Sequence, residues 1–200
     1  MTESATEREG IDAPAAGRGG GFTAALLRNK AFAANGRHEG VGPVPGLGLF
    51  VITCLDPRVD PAYVLGLDIG EALVFRNGGG RVTDEVIENV AYVSFLAEGM
   101  LPEGPLFEVA VIHHTQCGAG RLADDAFRHG YAERIGVDEQ TLRELAVVDP
   151  VATVAADVER LHSSDAISSR VTVSGHVYNV STGLVETVVP AAAVTPGASA

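Results

Sequence analysis

The sequence predicts an α/β fold built on one mostly parallel sheet, and three observations support this prediction. Short apolar runs, such as residues 49–52 and 107–112, are bounded by glycine, proline or polar residues, which is typical of buried strands in a parallel sheet. These runs alternate with segments of helical spacing, as in sheets whose strands are joined by right-handed crossovers. The first run leads into Cys54, Asp56 and Arg58, at the strand end where such sheets bind ligands.

Helices are predicted where apolar residues recur three or four positions apart. The clearest helix begins at Thr83, a candidate N-cap, and Asp60 followed by Pro61 is a second typical start. The predicted helices are residues 22–35, 61–67, 83–98, 121–128, 139–146 and 151–163.

Strands are predicted from the apolar runs and, near the C-terminus, from an alternating pattern that turns at residues 181–183. The predicted strands are residues 48–53, 72–76, 107–113, 169–180 and 184–189. Candidate ligands follow the first and the third strand, so neighbouring positions for these two would bring the ligands together. We therefore expect a strand order of about 2-1-3-4, with the fifth strand antiparallel at the edge and helices on both faces.

Composition favours a single domain at residues 22–189. Residues 1–21 are rich in glycine and alanine, and residues 190–200 are rich in alanine and proline, so both are expected to be disordered, flexible tails. No apolar run reaches the length of a membrane span, and the N-terminus lacks the apolar core of a secretory signal. We therefore expect a cytoplasmic protein without a membrane partner.

The net charge of −12, from 14 basic and 26 acidic residues, argues against nucleic acid as a partner because phosphates would be repelled. It does not argue against a small neutral substrate. The chain has only two cysteines, and in a reducing cytoplasm thiols bind metal more often than they form disulfides.

Cys54, His114 and Cys117 form a candidate zinc site. Two thiolates and an imidazole suit tetrahedral zinc, and a catalytic site leaves the fourth position open for water. The spacing His114-x-x-Cys117 lets one loop supply two ligands, whereas His113 lacks this spacing and is expected to be a hydrogen-bonded residue at the strand end. Two alternatives remain open at this point: a disulfide between the cysteines, and two unconnected buried cysteines.

Asp56 and Arg58 lie two residues apart, so in extended backbone they point to the same side. They form either an ordinary loop salt bridge or a functional pair beside the metal. Arg76, at the end of the second strand, is a candidate for a structural ion pair.

These motifs resemble a known family. The pattern Cys54-x-Asp56-x-Arg58, followed by His114-x-x-Cys117, resembles the two signatures of the β-class carbonic anhydrases, and residues 76–79 look like their Arg-Asn-Ala-Gly loop. The histidine pair and the hairpin at residues 175–178 are more similar to a bacterial subgroup that also includes hydrolases of carbonyl sulfide.

The resemblance implies an α/β sheet fold, one zinc ion per chain held by Cys54, His114 and Cys117, and an assembly that is a homodimer or a higher homo-oligomer. Asp56 and Arg58 would form the catalytic dyad, and Asp56 would be a conditional fourth zinc ligand.

The implied activity is that of a carbonic anhydrase, the reversible hydration of carbon dioxide to bicarbonate by a zinc-bound hydroxide. The alternative at the same site is hydrolysis of carbonyl sulfide or carbon disulfide. An alternative of another class is a non-catalytic structural or redox zinc protein, which a fourth strong protein ligand would indicate.

The sequence departs from the family pattern at three positions, and these bear on the choice of substrate. Pro57 stands where the family often has serine or alanine, Gln116 where it often has aspartate, and Gly78 where it has a small alanine. None of these departures removes a candidate ligand, but Pro57 stiffens the loop that carries Asp56.

Overall fold

A computed structural model describes residues 21–195 of the chain. The strands are β1 Leu49–Cys54, β2 Ala72–Asn77, β3 Glu108–His114, β4 Thr172–Asn179 and β5 Leu184–Ala193. The α-helices are α1 Gly21–Ala34, α2 Pro61–Val64, α3 Asp84–Met100, α4 Asp125–Ile135, α5 Glu139–Glu144 and α6 Pro150–His162. Short 3-10 turns cover Pro57–Val59, Gly78–Gly80 and Gly118–Ala123.

The five strands form one sheet in the order β2-β1-β3-β4-β5, with helices around it. Strands β2, β1, β3 and β4 pair in parallel, and β5 pairs antiparallel with β4 at the edge. The predicted fold class and strand order are therefore confirmed. Because β1 lies between β2 and β3, the loops that follow these three strands meet at one edge of the sheet.

Contacts divide the chain into two compact units, Met1–Val41 and Gly42–Ala200. The described part of the first unit contains α1, which buries none of its side chains. The second unit contains the sheet and the other helices. The division into a domain at residues 22–189 and two flexible tails stays a prediction, and most of the N-terminal tail and residues 196–200 lie outside the described residues.

The larger core lies between one face of the sheet and helices α3 and α6. Its helical side chains recur three or four residues apart, as a buried helix face requires; they are Val86 and Val90 of α3 and Val154, Val158 and Leu161 of α6. Each such side chain stabilises the fold by about 1.5–3 kcal/mol relative to an exposed position.

A smaller core covers the opposite face of the sheet. It contains Val51, Ala110 and Ile112, with Leu67 and Tyr178 packed against them. Successive residues of a strand point to opposite faces, so adjacent residues of β3 serve different cores. This alternation also separates the two adjacent histidines at the end of β3.

The helix predicted at residues 121–128 is wrong. Gly118–Ala123 forms a 3-10 turn, and α4 begins only at Asp125. The start is set by Asp124, whose carboxylate accepts a hydrogen bond from the backbone N–H of Phe127 at 2.8 Å. The N-cap at Asp124 therefore sets the start of α4.

Further details of the elements differ from the expectations. Helix α2 ends at Val64 because Gly66 adopts φ +68°, a left-handed conformation that stops a helix. Thr83 precedes α3 but makes no side-chain capping bond. Strand β5 continues to Ala193 and includes Pro190, since an edge strand tolerates the missing N–H of proline.

Within the described residues, no helix is both long and apolar enough to cross a membrane.

Candidate active site

The ends of β1 and β3 bring the three predicted ligands together. The ligand atoms of Cys54, His114 and Cys117 all lie within 4.8 Å of one another, and the two sulfur atoms are 3.8 Å apart. Cys54 and His114 are buried, and Cys117 is partly buried. Cys54 and Cys117 are 63 positions apart along the chain. They lie close together because β1 and β3 pair in parallel, which places the ends of both strands at the same edge of the sheet.

His114 presents a free ring nitrogen to the cluster. Its Nδ1 bonds to the carbonyl oxygen of Thr115 at 2.9 Å, which requires this nitrogen to carry the proton. Its Nε2 is buried and has no hydrogen-bond partner among the described residues. A buried ring nitrogen without a hydrogen-bond partner costs free energy unless something binds it. Because Nδ1 carries a proton, Nε2 is the ring nitrogen that can ligate a metal.

Both cysteines are free thiols, so the structure does not form the disulfide that the sequence left open. The hydrogen bond between the sulfurs lowers the pKa of Cys54, although burial alone would raise it. The same hydrogen bond and burial both raise the pKa of Cys117. The pair therefore holds one thiolate readily and titrates as a unit. Two cysteine sulfurs, which bind a metal as thiolates, and one imidazole nitrogen are a donor set that fits zinc.

Asp56 and Arg58 form a two-point ion pair beside this cluster. Arg58 donates from Nε to Oδ1 at 2.9 Å and from Nη2 to Oδ2 at 2.7 Å. These hydrogen bonds, with a further bond from the backbone N–H of Arg58, hold the pKa of Asp56 well below its usual range. The Asp56 carboxylate is therefore ionised at neutral pH and fixed in direction, and the N–H of Asp56 donates to the sulfur of Cys54.

Arg76 supports the loop that carries Cys54 and Asp56. Its guanidinium donates to the carbonyl oxygens of both residues, at 2.9 and 2.8 Å, and forms an ion pair with Asp60 at 2.8 Å. The sequence alone predicts a structural ion pair for Arg76 at the strand end. The structure shows that this one side chain fixes the loop at three points.

The glycines after β2 allow a close approach to Cys54. Gly80 adopts φ +69°, and a side-chain carbon there would lie 2.9 Å from the backbone nitrogen of Cys54. Any residue other than glycine would therefore push the loop away from the cluster.

A cleft of about 690 Å³ opens beside Cys54 and Asp56. Its walls are mostly apolar and come from the loops and from helices α4 and α5; they include Leu55, Leu122, Phe127, Tyr131, Leu142 and Leu145. An uncharged, weakly polar small molecule is suited to such walls.

The sequence interpretation missed a buried charge network behind the site. Asp157 of α6 accepts hydrogen bonds from Nε and Nη2 of Arg81, at 2.8 and 3.0 Å, and from the backbone N–H of Val82. His113 lies 3.2 Å from the same carboxylate and 2.8 Å from Thr153. The available signal was an acidic residue inside the apolar stripe of α6, where a buried position needs a charged partner.

We expect Asp157→Asn to lower the free energy of unfolding by about 3 kcal/mol at pH 7, because it breaks a buried ion pair. Burial raises the pKa of Asp157, but hydrogen bonds from His113 and Arg81 outweigh burial and lower it. Because the pKa of Asp157 is lower in the folded than in the unfolded protein, its carboxylate stabilises the fold at pH values above the unfolded pKa of about 3.9. This contribution is lost as the pH falls from that value through the folded pKa.

Urea unfolding of this variant at several pH values measures the effect, with Asp165→Asn as an exposed control. The difference in the free energy of unfolding between the variant and the wild type should become smaller below about pH 4. A difference in unfolding free energy that does not change with pH would contradict an ionic contribution of Asp157.

The comparisons with known proteins agree with this geometry. Residues 49–136 match the family model described as "Carbonic anhydrase". "Beta-carbonic anhydrase 1" of Mycobacterium tuberculosis is 30% identical over 152 residues, which cover 74% of this chain and 88% of the relative. A "Carbon disulfide hydrolase" of Acidithiobacillus thiooxidans is 29% identical over 156 residues, which cover 68% of this chain and 74% of that protein.

The crystal structure of a carbonic anhydrase from Streptococcus mutans superposes with a TM-score of 0.69 at 31% identity. The superposition covers 84% of this chain and 96% of that one. The matched fold, the shared length and the Cys-His-Cys cluster lead to one conclusion: this chain belongs to the β-class carbonic anhydrase family.

Proposed function

We propose that this protein is a zinc-dependent carbonic anhydrase that catalyses the reversible hydration of carbon dioxide to bicarbonate, with one Zn²⁺ per chain. The observation that supports this most strongly is the unsatisfied Nε2 of His114 facing the sulfurs of Cys54 and Cys117, beside an ionised Asp56.

Cys54, His114 and Cys117 would hold the metal, leaving one tetrahedral position without a strong protein ligand. When bound, zinc lowers the pKa of water from about 15.7 to about 7 and so supplies a nucleophile at neutral pH. The hydrogen bond between His114 Nδ1 and the Thr115 carbonyl holds the ring in the tautomer that ligation requires.

Asp56 is proposed to accept a hydrogen bond from the attacking oxygen and to aim it at the carbon of carbon dioxide. The two-point grip of Arg58 keeps this carboxylate ionised and fixed in direction. Asp56 would also be the conditional fourth ligand of the metal, and its hydrogen bonds with Arg58 would keep it from that position. The two residues would therefore act as the catalytic dyad.

The apolar cleft suits a small uncharged substrate that leaves as a charged product. Carbonyl sulfide and carbon disulfide share this character, and relatives of similar identity are named carbon disulfide hydrolases. Carbon dioxide is our proposal because the alignment covers 88% of the carbonic anhydrase of Mycobacterium tuberculosis, against 74% of the carbon disulfide hydrolase of Acidithiobacillus thiooxidans.

Metal analysis combined with three rate assays tests the proposed function. Stopped-flow hydration of carbon dioxide should be rapid in the zinc-loaded protein, and sulfide release from carbonyl sulfide or carbon disulfide should be slow. Sulfide release with negligible hydration would assign the alternative substrates. Stoichiometric zinc without either activity would favour the non-catalytic class.

We also propose a cytoplasmic homodimer or higher homo-oligomer, on the basis of the family resemblance and of exposed apolar surface. In α1, Phe22 and Leu27 are 77% and 64% exposed, and such patches are typical of interaction sites. A chain truncated to begin at Pro43 should therefore dissociate in sedimentation experiments. An unchanged oligomer with unchanged stability would remove α1 from the interface.

A further inference from the structure

The loop that carries Cys117 is attached to the turn between β4 and β5. The backbone N–H of Thr115 donates to the carbonyl oxygen of Tyr178 at 3.0 Å, and its hydroxyl accepts from the N–H of Val180 at 3.0 Å. Gln116 adds a third link, since its Nε2 donates to the hydroxyl of Ser181 at 3.2 Å. The position of Gln116 is therefore fixed from outside the metal cluster.

Gln116 also contacts Arg58 through two groups. Its side-chain oxygen accepts from Nη1 of Arg58 at 3.4 Å, and its backbone carbonyl accepts from Nη2 at 3.2 Å. Among described residues other than glycine, Gln116 alone has a positive φ, +59°. A left-handed conformation costs free energy for such a residue, so the surrounding bonds must hold it in place.

The contacts of Arg58 come from two opposite sides. Nε and one donor of Nη2 grip Asp56, and Nη1 and the second donor of Nη2 face Gln116. The Arg58 side chain is otherwise 44% exposed, and a long side chain in water moves among several rotamers. Contacts on one side alone would leave the Asp56 pair open to such motion.

We propose that Gln116 is a positioning residue for the catalytic dyad: it holds Arg58 in the geometry that grips Asp56, and Ser181 anchors it. This inference rests on the proposed function, because it assigns Gln116 to the same site. Gln116 acts through Arg58 and need not touch the substrate. The β4–β5 turn thereby becomes part of the support for the active site.

The test variant is Gln116→Met, which keeps the length of the side chain and removes both of its hydrogen bonds. We expect kcat to fall by about tenfold, the size of one lost hydrogen bond to a charged group. KM should change by less than about twofold, since substrate binding is not altered. Zinc content should stay the same, and Ser181→Ala should show a smaller loss in the same direction.

A double-mutant cycle separates positioning from a general structural role. If Gln116 acts through Arg58, adding Gln116→Met to Arg58→Ala should lower kcat by less than about twofold further. An equal, multiplicative loss in both backgrounds would overturn the proposal, and so would a wild-type kcat in the single variant.

A measurement independent of activity distinguishes failure of this inference from failure of the proposed function. The ¹⁵N–¹H resonance of Arg58 Nε reports how rigidly the guanidinium is held. Gln116→Met should lower its order parameter and speed its hydrogen exchange. If the wild type hydrates no carbon dioxide, the proposed function fails. In that case, a change of the Arg58 Nε resonance in Gln116→Met still supports the positioning role, and an unchanged resonance overturns it.

Discussion

Replacing His114 by alanine should remove zinc from the protein, whereas replacing its neighbour His113 should leave zinc bound. His114 Nε2 lies near the two cysteine sulfurs and has no hydrogen-bond partner in the part of the chain that the structure describes. His113 lies on the opposite face of β3, where it contacts Thr153 and Asp157. Removing a direct ligand should weaken zinc binding by more than the roughly 100-fold that the loss of an outer partner costs.

The measurement is zinc per chain after dialysis against a weak chelator, with affinity from competition titration. His113→Ala is the matched control, because it removes the same ring from the adjacent residue. This control should lose stability instead, since His113 is fully buried and its removal leaves a cavity and unpaired polar groups. Metal loss in the His113 variant with retention in the His114 variant would show that the ligand assignment is reversed.

Much of the fold was predictable because apolar runs and helical spacing are local signals. The strand order also followed, since candidate ligands after two strands had to meet at one edge of the sheet. The choice between the two histidines came from the spacing to Cys117 alone. In the structure it also follows from strand alternation, which sends His113 toward α6 and His114 toward the cysteines.

The missed features are contacts between distant segments. Asp157 meets Arg81 across 76 residues, and Gln116 meets Arg58 across 58. No local pattern connects such pairs, because their proximity depends on how the helices and loops pack on the sheet. The start of α4 differs from the predicted residue 121 for a different reason, since the side chain of Asp124 caps the helix that begins at Asp125.

Replacing Arg58 by alanine should leave zinc bound and the fold intact but should remove most of the activity. Cys54, His114 and Cys117 are unchanged in this variant, so the metal keeps its three proposed ligands. The carboxylate of Asp56 loses the two bonds that hold it. The pKa of Asp56 should rise toward its ordinary range of about 3.9, so it is still ionised at neutral pH and free to turn.

A free carboxylate two residues from a zinc thiolate is a strong candidate for the open coordination position. Asp56 should therefore occupy that position in Arg58→Ala and exclude water from it. We expect kcat/KM to fall by on the order of 10²-fold or more, as when a positioned acid–base group is lost. Zinc content should stay near one per chain.

The decisive measurement is the metal coordination in Arg58→Ala, from a crystal structure with X-ray absorption on the same sample. The control is the double variant Arg58→Ala with Asp56→Ala, which should reopen the metal without restoring the rate, because the orienting carboxylate is gone. Arg58→Lys is a second control, since it keeps the charge but cannot form the two-point grip. If zinc in Arg58→Ala keeps a solvent ligand while Asp56 stays remote, Arg58 supports only its own loop, and another group must keep Asp56 from the metal.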